Sequence, residues 1–128
     1  MKGIIDISKL KNPPEKHELN TAKYFSDKGF DVEFIPPSNI PGVHRPDILM
    51  QGVEWEIKCP QGKGKRTIDK LIKQAVKQSH YIVVDLRRIK ISTKRSLSQL
   101  ETQFNLKTYI KKLLAITKEG ELVEFSRK

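Results

Sequence analysis

Between residues 53 and 58 apolar and polar side chains alternate strictly. Val53, Trp55 and Ile57 fall on one face of an extended chain, and Glu54, Glu56 and Lys58 on the other. Upstream, Ile48 to Met50 is a compact apolar run, and Gln51-Gly52 between the two predicts a hairpin turn. A strand is also predicted from Phe30 to Ile35, with Phe30, Val32 and Phe34 on one side, and a short one within Gly3 to Ile7. Helical spacing takes over from Pro14 to about Lys28, where Leu19, Ala22, Tyr24 and Phe25 form a stripe that stops at Gly29. A second helix begins at Arg66 or Thr67 and runs to about Ser79, with Ile68, Leu71, Ile72, Ala75 and Val76 spaced for one buried face. Tyr81 to Leu86 is almost continuously apolar, which suits a strand buried on both faces in the middle of a sheet.

The remaining third reads less sharply. Ser96 is the expected cap of a helix with a partial stripe of Leu97, Leu100, Phe104 and Leu106, continued through Tyr109 to Leu114. Leu113 to Thr117 and Glu121 to Phe125 alternate around Lys118-Glu119-Gly120, a closing hairpin. Pro36 to Gly42 holds three Pro and one Gly in seven residues, so it must be a loop, and it leads directly towards Asp47. Strand, hairpin, helix, strand in this order predicts a mixed α/β sandwich with a crossover helix, one domain over residues 1–128.

The hairpin carries the candidate chemistry. Asp47 opens its first strand after Pro46, which brings its carboxylate beside Glu56 across the pair. Two such carboxylates repel unless a cation sits between them, and hard oxygen ligands suit magnesium or manganese. Lys58, two residues on, points at the same spot, where it can orient a water or steady charge developing on a phosphate. Past Pro60, the loop Gln61-Gly62-Lys63-Gly64-Lys65-Arg66-Thr67 offers Lys63, Lys65 and Arg66 for phosphate contacts, but it lacks the spacing of a Walker loop, so ATP hydrolysis is excluded. Arg87 and Arg88 extend the positive surface, and His44 and Arg45 stand at the rim before Asp47, where phosphate contact and plain solvation are equal readings. His17 reads as a proton carrier, a phosphate contact or a packing residue.

Charge points the same way. Lys and Arg number 25 against 15 Asp and Glu, a formal net charge of +10, so the long-range field attracts a polyanion, and nucleic acid is favoured over an anionic membrane surface. No apolar run reaches the roughly 20 residues that span a bilayer, and no signal-type core follows Met1, so the protein is expected in the cytosol unless another system exports it. Cys59 is the single cysteine, which excludes an internal disulfide and a cysteine metal cluster; beside Ile57 it reads as a core filler.

Pro46-Asp47, eight residues, then Glu56-Ile57-Lys58 resembles the PD-(D/E)XK nuclease superfamily. More narrowly, His17 to about Arg88, with its phrases Pro46 to Met50, Gly52 to Lys58 and Tyr81 to Arg88, resembles the C-terminal nuclease domain of contact-dependent growth inhibition toxins. That resemblance implies a restriction-endonuclease-like core and an endonuclease using Mg2+ or Mn2+. Asp47 and Glu56 would be the metal ligands, with Glu18 or the Ile57 carbonyl completing the shell, Lys58 a catalytic lysine, and Gln74 or Gln78 a polar contact from the second helix. It also implies RNA, transfer RNA in particular, over DNA as substrate, and leaves room for an acidic immunity partner. These 128 residues do not include the large delivery module that such toxins carry, so cell-to-cell delivery is not part of the expectation. Two other classes compete: a nuclease fold that binds nucleic acid without cutting it, and a metal-free basic interaction protein. Retention of Asp47, Glu56 and Lys58 opposes the first, because carboxylates beside phosphate weaken mere binding.

Overall fold

The computed structural model describes residues 1–127. These form seven strands in one sheet with three α-helices, in the order β1 (Ile5–Asp6), α1 (Lys16–Asp27), β2 (Val32–Phe34), β3 (Ile48–Met50), β4 (Val53–Lys58), α2 (Thr67–Ala75), β5 (Tyr81–Asp85), a 3-10 turn (Leu86–Arg88), α3 (Thr93–Leu106), β6 (Lys112–Ile116) and β7 (Leu122–Ser126). Spatial order follows chain order from β1 to β7. The β2–β3, β3–β4 and β6–β7 pairs are antiparallel; β1–β2, β4–β5 and β5–β6 are parallel. The mixed α/β sandwich expected from the element order is the fold observed.

Two cores fill the faces of this sheet. Ala22 and Phe25 of α1 pack with Val32, Phe34, Ile48, Trp55, Ile57 and Val83 on one side. On the other, Ile68, Ile72 and Ala75 of α2 and Leu100 and Phe104 of α3 cover Ile82, Val84 and Leu113. Neighbouring β5 residues therefore belong to opposite cores, which is why that strand reads as uniformly apolar.

The ends of the elements have local causes. Gly29 (φ 98°) closes α1: its N–H donates to the Ser26 carbonyl at 2.9 Å and that of Phe30 to the Phe25 carbonyl at 3.0 Å. The Phe25 and Phe30 rings meet edge to face, completing a Schellman stop with its apolar contact. Gln51 and Gly52 both take positive φ, 54° and 77°, as a two-residue type I′ turn demands, so the hairpin register is set at Met50 opposite Val53 and Ile48 opposite Trp55.

Three expectations are corrected. α2 ends at Ala75 rather than Ser79, because the Ser79 hydroxyl instead donates to the Glu54 carbonyl at 2.7 Å and accepts from the Tyr81 N–H, starting β5. α3 is capped by Ser92, whose Oγ accepts from the Arg95 N–H, and Ser96 is buried within the helix one turn on. The segment from Tyr109 to Leu114 does not prolong α3, since Lys112 to Ile116 pairs with β5 and β7, and Leu106, expected on the apolar stripe, is 70% exposed.

Candidate metal centre

Asp47 enters β3 with its N–H bonded to the Trp55 carbonyl at 2.9 Å and its own carbonyl accepting from Ile35 at 3.0 Å. Its side chain reaches across the hairpin, where Oδ2 accepts the Ile57 N–H at 2.7 Å. The strand that bears Glu56 thus also pins the Asp47 carboxyl. Glu56 is only 4% exposed. Its carboxyl lies beside that of Asp47, near enough for each to act on the other's proton. Oε2 is 3.4 Å from the Lys58 ammonium, while Oε1 is buried with no hydrogen-bond partner among the described residues. Glu18, in the first turn of α1, brings a third carboxyl within electrostatic reach of Asp47 and Lys58.

Burial is the first cause that drives all three carboxyls towards the neutral form. Glu56 is pushed up to about 8, with the Asp47 charge adding and Lys58 opposing. Glu18 is pushed up to about 7, with the charges of Asp47 and Glu15 adding. Asp47 is raised too, against the lowering pull of the Ile57 N–H and Lys58. Three buried or half-buried carboxyls in electrostatic reach of one another are groups to which a hard divalent cation would supply the missing positive charge, although their ligand atoms are not among those that lie within 4.8 Å of one another. Asp47, Glu56 and Glu18 are the groups that could hold it. Beside them, Glu15, His17 and Glu18 place their ligand atoms within 4.8 Å of one another, with His17 Nε2 3.2 Å from a Glu15 oxygen.

The other sequence-derived residues divide. Lys63 and Lys65 are exposed on the loop leaving β4, and Arg66 makes a loose pair with Asp69 at 3.5 Å. His44 and Arg45 are exposed before Asp47, and Arg88 is exposed beyond β5. Gln74 lies on the solvent side of α2, and its side chain makes no hydrogen bond to Asp47, Glu56 or Lys58 among the described residues. Gln78 lines a separate hollow with Val53, Glu54, Ser79 and Tyr81. Arg87 turns inward: its guanidinium grips both oxygens of Asp85 at 2.9 and 2.7 Å, reaches the Asn20 carbonyl at 3.2 Å and lies over the Tyr24 ring.

That last group was missed by sequence reasoning. Asp85 is 3% exposed and also accepts the Thr21 hydroxyl at 2.7 Å, so it ties α1 to the end of β5. Burial would raise it, but the Arg87 and Thr21 donors together hold it below the ordinary carboxylate range. The signal was an acid ending an apolar strand two residues before an arginine. Cys59 packs on the α1 side within 3.4 Å of the Thr21 hydroxyl, and burial pushes its thiol up to about 11, consistent with a core role.

Fold and site together define a small mixed α/β domain whose hairpin gathers carboxyls and a lysine at the carboxyl end of a central strand. Residues 44–122, which include Asp47, Glu56 and Lys58, match the model of the contact-dependent growth inhibition CdiA C-terminal domain, and the chain belongs to that family. Among solved structures, the chain is similar to one described as "CdiA-CT/CdiI toxin and immunity complex from Burkholderia pseudomallei". The TM-score is 0.69 at 22% identity, covering 98% of this chain and 100% of that one, a likeness of fold. No curated protein sequence matches the chain.

Proposed function

We propose that the chain is a toxin domain acting as a metal-dependent endonuclease of the PD-(D/E)XK kind, cutting RNA and transfer RNA first. The observation that carries this reading is Glu56, a buried carboxyl with one oxygen lacking a donor among the described residues, beside Asp47 and 3.4 Å from the Lys58 ammonium. A pair of buried acids beside a lysine is a poor device for gripping phosphate and a good one for hydrolysing it. This disfavours an inactive binding module.

In this reading Asp47, Glu56 and Glu18 hold Mg2+ or Mn2+, with the Ile57 carbonyl as a further ligand. Such an ion, when bound, supplies Lewis acidity and lowers the pKa of water to make a nucleophile near neutral pH. The Ile57 N–H keeps Asp47 turned into the hairpin. Lys58 orients the attacking water and faces the charge that grows on the phosphate. Lys63, Lys65, Arg66, Arg88 and His44 draw in the polyanion, while Arg87 serves the fold. Membership of the CdiA C-terminal family supports the toxin role, and the similarity to a toxin that is solved with its immunity protein supports an acidic protein partner matching the +10 charge.

Purified protein incubated with transfer RNA and with plasmid DNA, with manganese and then with chelator, tests the proposal. Cleavage should require the metal and fall by about 100-fold or more in Glu56→Gln and in Lys58→Ala. Cutting that survives chelation or the Glu56→Gln change would overturn it, and cutting confined to plasmid would move the substrate to DNA.

A further inference from the structure

A cleft of about 650 Å3 runs along the outer side of α1 from His17, whose ring lies near the Glu18 carboxyl. Its α1 wall carries Asn20, Lys23, Tyr24 and Lys28, and Arg87 and Arg88 face them from the end of β5. Two acids also line it, and both are already matched. Asp85 is gripped by Arg87 at 2.7 Å, and Asp27 pairs with Lys2 at 3.2 Å. Lys23, Lys28 and Arg88 therefore present three exposed cations with no carboxylate partner among the described residues.

Tyr24 makes the cleft a reader of charge rather than of bases. Its hydroxyl donates to the Gly120 carbonyl at 2.8 Å, and its ring meets the Lys28 ammonium at 5.1 Å and the Arg87 guanidinium at 5.3 Å. An aromatic face occupied by cations is not open for base stacking. The stripe from His17 to Lys28 climbs α1 for about 16 Å at 1.5 Å per residue, the length of four or five stacked nucleotides at about 3.4 Å each.

We propose that this cleft is the track for the phosphodiester backbone on one side of the scissile bond, with Lys23, Lys28 and Arg88 each meeting a phosphate. An acidic protein surface would also be drawn to three cations, but the cleft ends at His17, whose ring lies within 4.8 Å of the Glu18 carboxyl, so a strand lying in it would be led towards the carboxyls. The placement rests on the nuclease reading, and the test separates the two.

Binding of labelled transfer RNA and of labelled duplex DNA is measured in chelator, where no cutting occurs, over a salt series. Lys23→Gln/Lys28→Gln should lower the slope of log affinity against log salt by about 1.4–1.8 on transfer RNA, about 0.7 per lysine on unpaired and 0.9 on paired segments. With manganese restored, the same variant should show a raised KM and an unchanged kcat. Both lysines are exposed, so its melting temperature should fall by no more than a few degrees, from loss of the Lys28–Tyr24 contact. Lys73→Gln, on the last turn of α2 on the opposite face, should leave the slope alone. A slope change on the duplex alone would make the track one for DNA. If the parent binds and cuts but the double variant keeps the parental slope, the track is refuted and the nuclease reading stands. If the double variant loses an immunity protein and not RNA, the cleft is a protein interface and the proposal is equally refuted. A parent that neither binds nor cuts either nucleic acid would bring down both.

Discussion

Glu56 sits where an ionised carboxylate is least welcome, and the pH dependence of stability should show it. Its proton leaves at about 8 in the folded protein against 4.5 as the ordinary value, and that of Glu18 at about 7 against 4.5. Between these values the folded state binds more protons than the unfolded chain. The stability contributed by the neutral carboxyls is complete below pH 4.5 and is lost as pH rises through 7 and 8. The metal-free protein should therefore melt at a lower temperature at pH 8 than at pH 5, and Glu56→Gln should flatten the profile; a melting temperature that climbs over this interval would contradict the burial argument. Asp85 behaves with the opposite sign: its carboxyl is held below 3.8, so its contribution is present above that pH and fades as pH falls through the folded-state value. Removing the guanidinium with Arg87→Ala leaves a buried acid with only the Thr21 hydroxyl and the N–H of residue 87 as donors, and should cost about 1–3 kcal/mol in a urea titration. That Asp47, Glu56 and Lys58 share one hairpin was legible in the chain, because period-two spacing fixes which strand face each residue takes. The Asp85–Arg87 pair was not, since Arg87 beside Arg88 reads as surface charge until α1 is laid against it.

At the level of elements, the hairpin decides the register on which the centre depends. Gln51 holds φ 54°, a left-handed conformation that costs a non-glycine residue about 1 kcal/mol or more, and asparagine adopts it more readily. Gln51→Asn, which restores the Asn-Gly pair favoured by type I′ turns, should raise stability by roughly 0.5 kcal/mol without moving the carboxyls. Gly29→Ala at the end of α1 should lower it by about 1 kcal/mol, read as a shift in denaturant midpoint. The β3–β4 hairpin and β5 were readable because period two and an unbroken apolar run leave little choice. The start of α3 was not: Ser92 and Ser96 are one helical turn apart and both suit a cap, so only the packing of Ser96 inside the helix separates them. Tyr109 to Leu114 is apolar enough for either structure, and pairing with β5 and β7 makes its second half a strand.

For the molecule as a whole, the candidate centre draws on α1, β3 and β4, so a bound ion would fasten a helix from one face of the sheet to its central hairpin. A ligand that binds only the folded state at 100 times its dissociation constant adds about 2.7 kcal/mol. Manganese should accordingly raise the melting temperature in a concentration-dependent way, and Asp47→Asn should abolish the rise while leaving the fold intact by circular dichroism. An equal rise in parent and variant would mean that the ion binds elsewhere, with the Glu15–His17–Glu18 group as the first place to look. The net charge of +10 acts at this scale as well, speeding encounter with a polyanion at low salt and screened over about 10 Å at 0.1 M.

The order of elements and the strand faces, and with them the placing of Asp47, Glu56 and Lys58 on one hairpin, were determined by the chain alone, because periodicity and local chemistry act over a few residues. Which cations stay free for a partner was decided only by tertiary structure. Arg87 and Arg88 are neighbours with the same charge, yet one is locked onto a buried aspartate and the other faces solvent. Likewise Lys23 and Lys28 gain meaning only once α1 lies beside the end of β5. Coulomb interaction depends on distance through space, and distance between residues far apart in sequence exists only after the chain has folded.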